Sequence, residues 1–283
     1  MTKRADIRLV ELGLARSRTA AQRLIEAGAV LDEVGCPIKA SSQQVSSEAG
    51  LRLDPDHPAS HSTQRFVSRG GLKLWGALET LSVRHAALVN LRSGGVALDV
   101  GQSTGGFTDA LLQWGLSRVV GLDVGHGQLN SRLRADPRVV CREGVNARLL
   151  NEPGFCGDLL GDALDAQGPH INSGFDLIVA DLSFISLTYI FPGVLTVLRP
   201  GASLLALVKP QFELSSRDLD RRGVVRSSEA ERLHRHVEER VRAAVQAAGG
   251  VTDEFIESSI TGSDGNREFF ILAGRLSEST SPA

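Results

Sequence analysis

Residues 96–108 read VALDVGQSTGGFT. A run of apolar residues, Val96 to Val100, is strand-sized and carries Asp99 near its end. It breaks at Gly101 into a glycine-rich turn, and Gly105, Gly106 and Phe107 lead into helical periodicity to Trp114. A strand, a tight turn and a helix in that order form the opening unit of a sheet that binds ligands at its carboxyl edge. Working outward, further strands are expected at Arg118–Asp123, Val139–Arg142, Phe175–Ala180, Ala202–Val208, Val251–Ser258 and Glu268–Ala273. Helices are expected at Gln128–Arg134, Leu187–Leu198 and Ser227–Ala248, with another over GLKLWGALETL, residues 71–81. Alternation of this kind predicts a mainly parallel sheet covered on both faces. The last two strands lie too close in sequence for a crossover, so the sheet is expected to end with one antiparallel strand.

Seven strands with an antiparallel insertion is the pattern of the class I methyltransferases, a Rossmann-like α/β fold. The glycine spacing 101, 105, 106 lacks the G-x-G-x-x-G fingerprint of a dinucleotide site. S-adenosylmethionine carries no phosphate and instead needs acceptors near its ammonium and sulfonium charges, which Asp99 would offer directly or through water. Asp123 ends the second strand, about 20 residues beyond the turn, where an acid hydrogen-bonds ribose hydroxyls. Asn146 either meets the adenine edge or caps the following helix. The candidate cofactor residues are Asp99, Gly101, Ser103, Thr104, Gly105, Gly106, Phe107, Asp123, Val124, Asn146 and Asp181. The alternative is a structural turn that binds nothing.

Two more strands deliver chemistry to the same edge. FDLIVADLSFISL (175–187) ends its apolar run at Asp181, and LLALVKPQFE (204–213) delivers Lys209 directly before Pro210. An ammonium at the end of an apolar strand is desolvated unless it is engaged. Asp181 and Lys209 are therefore expected in one crevice with Asp99.

The N-terminal region has a different texture. Two short helices are expected at Ile7–Leu12 and Arg18–Ala27, the second capped by Ser17, then strands near Ala29–Leu31, Pro37–Lys39 and Leu51–Leu53. This reads as a small α+β domain over 1–60, a linker region at 54–66, and a second domain over 61–283. The whole chain of 283 residues has net charge −2, which argues against a nucleic-acid binder only globally. Residues 1–30 hold six basic groups against three acids, net +3, and the next thirty hold two against five, net −3. Screening confines charge effects to about 10 Å, so a local basic patch still tracks phosphates. The three cysteines, Cys36, Cys141 and Cys156, form no C-x-x-C pair, and neither a disulfide framework nor a zinc site is expected. No run approaches the roughly 18 apolar residues of a membrane helix, and the charged N-terminus lacks a signal-peptide core. A cytoplasmic protein is expected.

Seven segments in order carry a specific resemblance. RLVELGLARSRTAAQRLIEAGAV (8–30) is similar to an S-four-like RNA-binding module. FVSRGGLKL (66–74), LDVGQSTGGFT (98–108), DVGHGQL (123–129), DLSFISL (181–187), VKPQFE (208–213) and GNREFF (265–270) are similar to FtsJ-like methyltransferases. Together the chain resembles the TlyA-type ribosomal RNA 2′-O-methyltransferases over nearly its whole length. The resemblance implies S-adenosylmethionine, a cytidine ribose in ribosomal RNA, and a Lys-Asp-Lys-Glu tetrad at Lys73, Asp181, Lys209 and Glu268. A ribose 2′-hydroxyl is a poor nucleophile that must lose its proton as it attacks. Lys209 is assigned as the base, with desolvation and the neighbouring Lys73 ammonium lowering its pKa toward neutrality. Asp181 and Glu268 would position the amines, although carboxylates push a lysine pKa upward.

Other residues have competing readings. Lys73 would otherwise be a solvated helix lysine and Glu268 a strand-edge charge. Arg4, Arg8, Arg16, Arg18, Arg23 and Arg69 are the candidate RNA contacts, Arg69 alternatively pairing with an acid. Glu213 and RDLDRR (217–222) read either as a mobile loop over the site or as a solvated charge run, and Trp75 as core rather than a base-stacking platform. Longer members of the family modify both subunit RNAs and carry an extra C-terminal helix. Here only GRLSESTSPA follows the last expected strand, so the large ribosomal subunit and its 23S RNA are expected, with no membrane or metal partner. The competing classes are a non-catalytic RNA-binding or assembly factor and, from the family's historical label, a haemolysin.

Overall fold

The computed structural model describes residues 2–15, 17–54, 57, 65–152, 154–155 and 174–275. Two compact units divide the chain, Met1–Arg69 and Gly70–Ala283. Most of the 54–66 linker, Arg16, Cys156 and the C-terminal residues 276–283 lie outside the described residues.

In the first unit, helices Ala5–Glu11 and Arg18–Glu26 pack around Leu9, Ala21, Leu24 and Ile25. Ser17 caps the second through its side chain, which accepts from the Ala20 amide at 3.2 Å. Two separate two-stranded ladders complete the unit. β2 (Val30–Leu31) pairs with β4 (Arg52–Leu53), and β1 (Thr2–Arg4) pairs with β3 (Gln44–Ser46). The second ladder is not legible in the sequence, because both strands are three polar-rich residues with no alternation to read. The expected strand at 37–39 reduces to one bridge between Leu31 and Pro37.

The second unit is built on a seven-stranded sheet in the order β10-β11-β9-β8-β5-β6-β7. Its strands are β5 (Val96–Val100), β6 (Arg118–Asp123), β7 (Val139–Glu143), β8 (Phe175–Ala180), β9 (Leu198–Val208), β10 (Gly250–Glu257) and β11 (Phe269–Arg275). Five neighbouring strands, from β9 through β7, run parallel. β11 lies antiparallel between β9 and β10. Leu98, Val100, Ile178, Ala180, Leu204 and Ala206 alternate onto one face, where helices Phe191–Val197 and Ala230–Ala247 cover them with Phe191, Val194, Val237 and Val241. Gly274 and Arg275 belong to β11, so the tail expected after the last strand begins later than the sequence suggests. Likewise the helix expected from Gln128 begins at Ser131, because the Asn130 side chain caps it.

Candidate active site

The chain runs outward from β5 to β7, returns, and continues from β8 to β9. The strand order therefore reverses between β5 and β8, and their carboxyl ends open the crevice in which such sheets bind ligands. Val100 pairs with Ala180, which brings Gly101 and Asp181 side by side. Gly101 has φ +90°, and a Cβ there would run into the Asp181 carbonyl. Glycine is needed for both reasons.

The turn after β5 is held by carboxylates. Asp123, at the end of β6, accepts from the Ser103 amide at 2.6 Å and from the Gly125 amide at 2.7 Å. These bonds tie the β5 and β6 turns together, and each carboxylate oxygen keeps a lone pair for a ribose hydroxyl. Ser103 itself sits at φ +48°, and its hydroxyl donates to Gln128. Gly105, at φ +92°, opens helix Gly106–Trp114, whose Phe107 is buried.

Asp99 is fully buried, so it does not face solvent as a free acceptor. Its Oδ2 accepts from Thr108 at 2.6 Å, and Thr108 in turn accepts from the buried Gln102 amide at 2.9 Å. Oδ1 is buried and has no hydrogen-bond partner among the described residues. Burial pushes the Asp99 carboxyl up to about 7, against the Thr108 bond and with help from the charges of Asp181 and Asp123. Gln102 and Thr108, which hold Asp99 in this chain of bonds, are candidate site residues that the sequence reading missed. Thr108, nine residues beyond Asp99, was the available signal.

Asn146 resolves toward the cap, since its side chain accepts from the Arg148 amide at the start of the short helix Ala147–Asn151. Val124 is exposed beside Asp123, and Thr104 accepts through its carbonyl from Asn130.

The other half of the site lies at the ends of β9 and β11. Lys209 directly follows β9 and its ammonium lies 2.6 Å from Asp181 Oδ1. The contact is off the hydrogen-bonding direction, and Lys209 donates instead to Ser183 at 3.0 Å. Lys73 lies on the buried face of helix Arg69–Ser82 and donates to Glu268 at 2.5 Å. Because β11 is antiparallel, its first residue Phe269 pairs with Val208 at the end of β9. That register sets Glu268 at the same edge as Lys209. Lys73, Lys209 and Glu268 line one cleft of about 520 Å³ with Phe184, Phe212 and Arg222. Phe184 has φ +64° and is 91% exposed, with its ring 5.3 Å from that of Phe212.

Some expectations are corrected. Glu213 is not part of a mobile loop. It is buried, accepting from Ser186 at 2.5 Å and from the Leu187 amide at 2.8 Å. The 217–222 run is folded by a capping box between Ser215 and Asp218 and a bridge between Leu219 and Val225. Trp75 packs edge-on against Trp114, ring centroids 5.1 Å apart. In the first unit Arg4 and Arg18 pair with Asp6 and Arg8 pairs with Glu11, Arg4 and Arg18 staying partly exposed, and Arg23 is exposed. Arg69 opens helix Arg69–Ser82.

A crevice of carboxylates beneath a glycine-rich turn does not suit a pyrophosphate. It suits the ammonium, sulfonium and ribose hydroxyls of S-adenosylmethionine, and the orphaned Asp99 Oδ1 is an acceptor of the kind that group needs. Asp99, Asp123 and the turn from Gly101 to Gly106 would hold it, and when bound it supplies an electrophilic methyl carbon. Fold and site together define a class I S-adenosylmethionine-dependent methyltransferase. The sequence pattern of the FtsJ-like methyltransferases matches residues 66–275, and the chain belongs to that family, in its TlyA branch.

Among its relatives, the 16S/23S rRNA (cytidine-2′-O)-methyltransferase TlyA of Mycobacterium tuberculosis is 38% identical over 268 residues, 95% of this chain and 88% of that protein. The 23S rRNA (cytidine-2′-O)-methyltransferase TlyA of Campylobacter jejuni is 29% identical, covering 78% and 73%. A solved structure from Streptococcus thermophilus, provisionally named a hemolysin, superposes with a TM-score of 0.66 at 31% identity, covering 99% of this chain and 92% of that one. Among the described residues no helix is long and apolar enough to cross a membrane.

Proposed function

We propose that the protein methylates the 2′-oxygen of a cytidine ribose in ribosomal RNA, with the 23S RNA of the large subunit as substrate. The observation that carries this reading is the pair of lysine–carboxylate contacts, Lys73 with Glu268 and Lys209 with Asp181, on one cleft beside the cofactor crevice. Both relatives bear names that specify cytidine 2′-O-methylation, and 23S RNA is common to the two.

Lys209 takes the proton of the attacking hydroxyl. Asp181 and Ser183 hold its nitrogen on the cleft wall. Lys73, fixed by Glu268, hydrogen-bonds the ribose and aligns the oxygen with the methyl carbon. Alignment of this kind supplies much of the rate. The exposed ring of Phe184, beside the half-buried ring of Phe212, offers a flat face on which a nucleobase stacks. A bulky residue at positive φ carries strain of about 1–3 kcal/mol, consistent with a ring held out for function. Arg4, Arg8, Arg16, Arg18, Arg23 and Arg69 supply phosphate contacts, which position RNA without reading its sequence. Such an enzyme works in the cytoplasm, with its substrate.

The test is methyl transfer from labelled S-adenosylmethionine to isolated 50S and 30S subunits, wild type beside Lys209→Ala. Label in 50S RNA that the variant abolishes is the expected result. Label in both subunits would overturn the restriction to 23S RNA. No label with RNA still bound would identify a non-catalytic RNA-binding factor.

A further inference from the structure

We propose that Asp6 is a positioning residue for RNA: a buried carboxylate that holds the guanidinium groups of Arg4 and Arg18 as a preset fork for phosphate oxygens. The proposal rests on the reading that the first unit binds ribosomal RNA, and it concerns a residue that reading leaves out.

Asp6 stands in the first turn of helix Ala5–Glu11 and is fully buried. Arg4 grips it bidentately, Nε to Oδ1 at 3.0 Å and Nη2 to Oδ2 at 2.9 Å. Gln22 donates to Oδ2 at 2.9 Å, and Arg18 Nη2 approaches the same oxygen at 3.4 Å. The Arg4 guanidinium, aided by Gln22 and Arg18 and opposed by burial, holds the Asp6 carboxyl well below the usual carboxylate range. The anchor is therefore an anion at every working pH.

One bidentate arginine and the Gln22 amide already satisfy this carboxylate. Arg18 is a second cation on an oxygen that has two donors, so satisfying Asp6 does not require it. The cluster keeps one unit of positive charge. A guanidinium has five N–H groups. Arg4 uses two of them on Asp6 and Arg18 one, and their side chains remain 37% and 58% exposed. The remaining donors face no partner on Asp6 and have the bidentate geometry that phosphate oxygens accept.

The next acid repeats the arrangement. Glu11 takes Lys3 at 2.6 Å and Arg8 at 3.5 Å, again two cations on one carboxylate. Cations set in place by the fold do not have to be ordered when RNA docks, which is the advantage of a preorganised site.

The test is binding of the full-length protein to isolated large ribosomal subunits as a function of salt, with circular dichroism confirming the fold. Asp6→Asn removes a negative charge, so electrostatics alone predicts tighter binding. The fork predicts the opposite, a loss of about tenfold and a salt slope shallower by about one to two, the change expected for one or two lost phosphate contacts. Should Asp6→Asn lose its helical signal, the double variant Arg4→Lys with Arg18→Lys decides the matter. It keeps every charge but removes the planar forks, and the same loss is expected. Unchanged or tighter binding by Asp6→Asn, or full binding by the double variant, would overturn the proposal. If the wild type binds no subunit, the RNA reading of this unit fails as well, while methyl transfer reads the second unit separately.

Discussion

Replacing Asp99 with asparagine should make the protein without cofactor more stable at high pH while removing a buried negative charge that favours the cationic S-adenosylmethionine. In the folded protein burial pushes this carboxyl from 3.8 up to about 7. Between those values the native state holds a proton that the unfolded chain has released, so stability falls as pH rises. The slope approaches 1.4 kcal/mol per pH unit for one group. Summed over the interval, ionised Asp99 destabilises the free protein above pH 7 by on the order of 4 kcal/mol relative to a neutral isostere. Both tryptophans, Trp75 and Trp114, lie in the second unit, so their fluorescence reports its melting alone. For a domain of this size the difference corresponds to roughly 10 °C in Tm. The gap between wild type and Asp99→Asn should be small below pH 4, about 2 kcal/mol near pH 5 and at its full size above pH 7, the variant higher. Calorimetry should show the variant binding S-adenosylmethionine at least about tenfold more weakly, and wild-type binding releasing a proton below pH 7, because the ligand's positive charge favours the carboxylate. Parallel pH curves for the two proteins would refute the account of Asp99 as a buried acid awaiting a cation.

Three further outcomes are expected. Lys209→Ala should lower kcat by about 10² to 10⁴, the range for removal of a general base, with S-adenosylmethionine affinity near wild type by calorimetry. Phe184→Gly should raise KM for RNA while raising Tm slightly, since glycine adopts φ +64° freely; an unchanged KM would remove the ring from substrate binding. Gly101→Ala should destabilise the second unit by about 1–3 kcal/mol in denaturant titration, because the new methyl meets the Asp181 carbonyl from a left-handed backbone.

Much of the second unit was legible because its signals are local. β5, β6 and β8 match their expected bounds residue for residue, each an apolar run stopped by a turn or an acid. β1 and β3 were not legible, since a three-residue ladder is chosen by its partner across 40 residues rather than by its own composition. Asn146 and Glu213 show the same limit for side chains. Each type serves equally in a cap, a structural bond or a site, and only the partner within reach decides which.

From the sequence alone came the order of strands and helices, the glycine turn after Asp99, and, through the resemblance it carries, four candidate residues for moving a proton. Which of those residues meet was decided by tertiary structure. Lys73, Asp181, Lys209 and Glu268 are spread over almost 200 positions, and no periodicity relates them. The reversal of strand order between β5 and β8 brings Asp181 beside the glycine turn. The antiparallel run of β11 against β9 turns Glu268 from a residue at a strand's beginning into one at the edge where Lys209 leaves β9, and Lys73 reaches it across 195 residues. Backbone hydrogen bonding between distant strands fixes that register, and a chain read in one dimension carries no record of which strands pair.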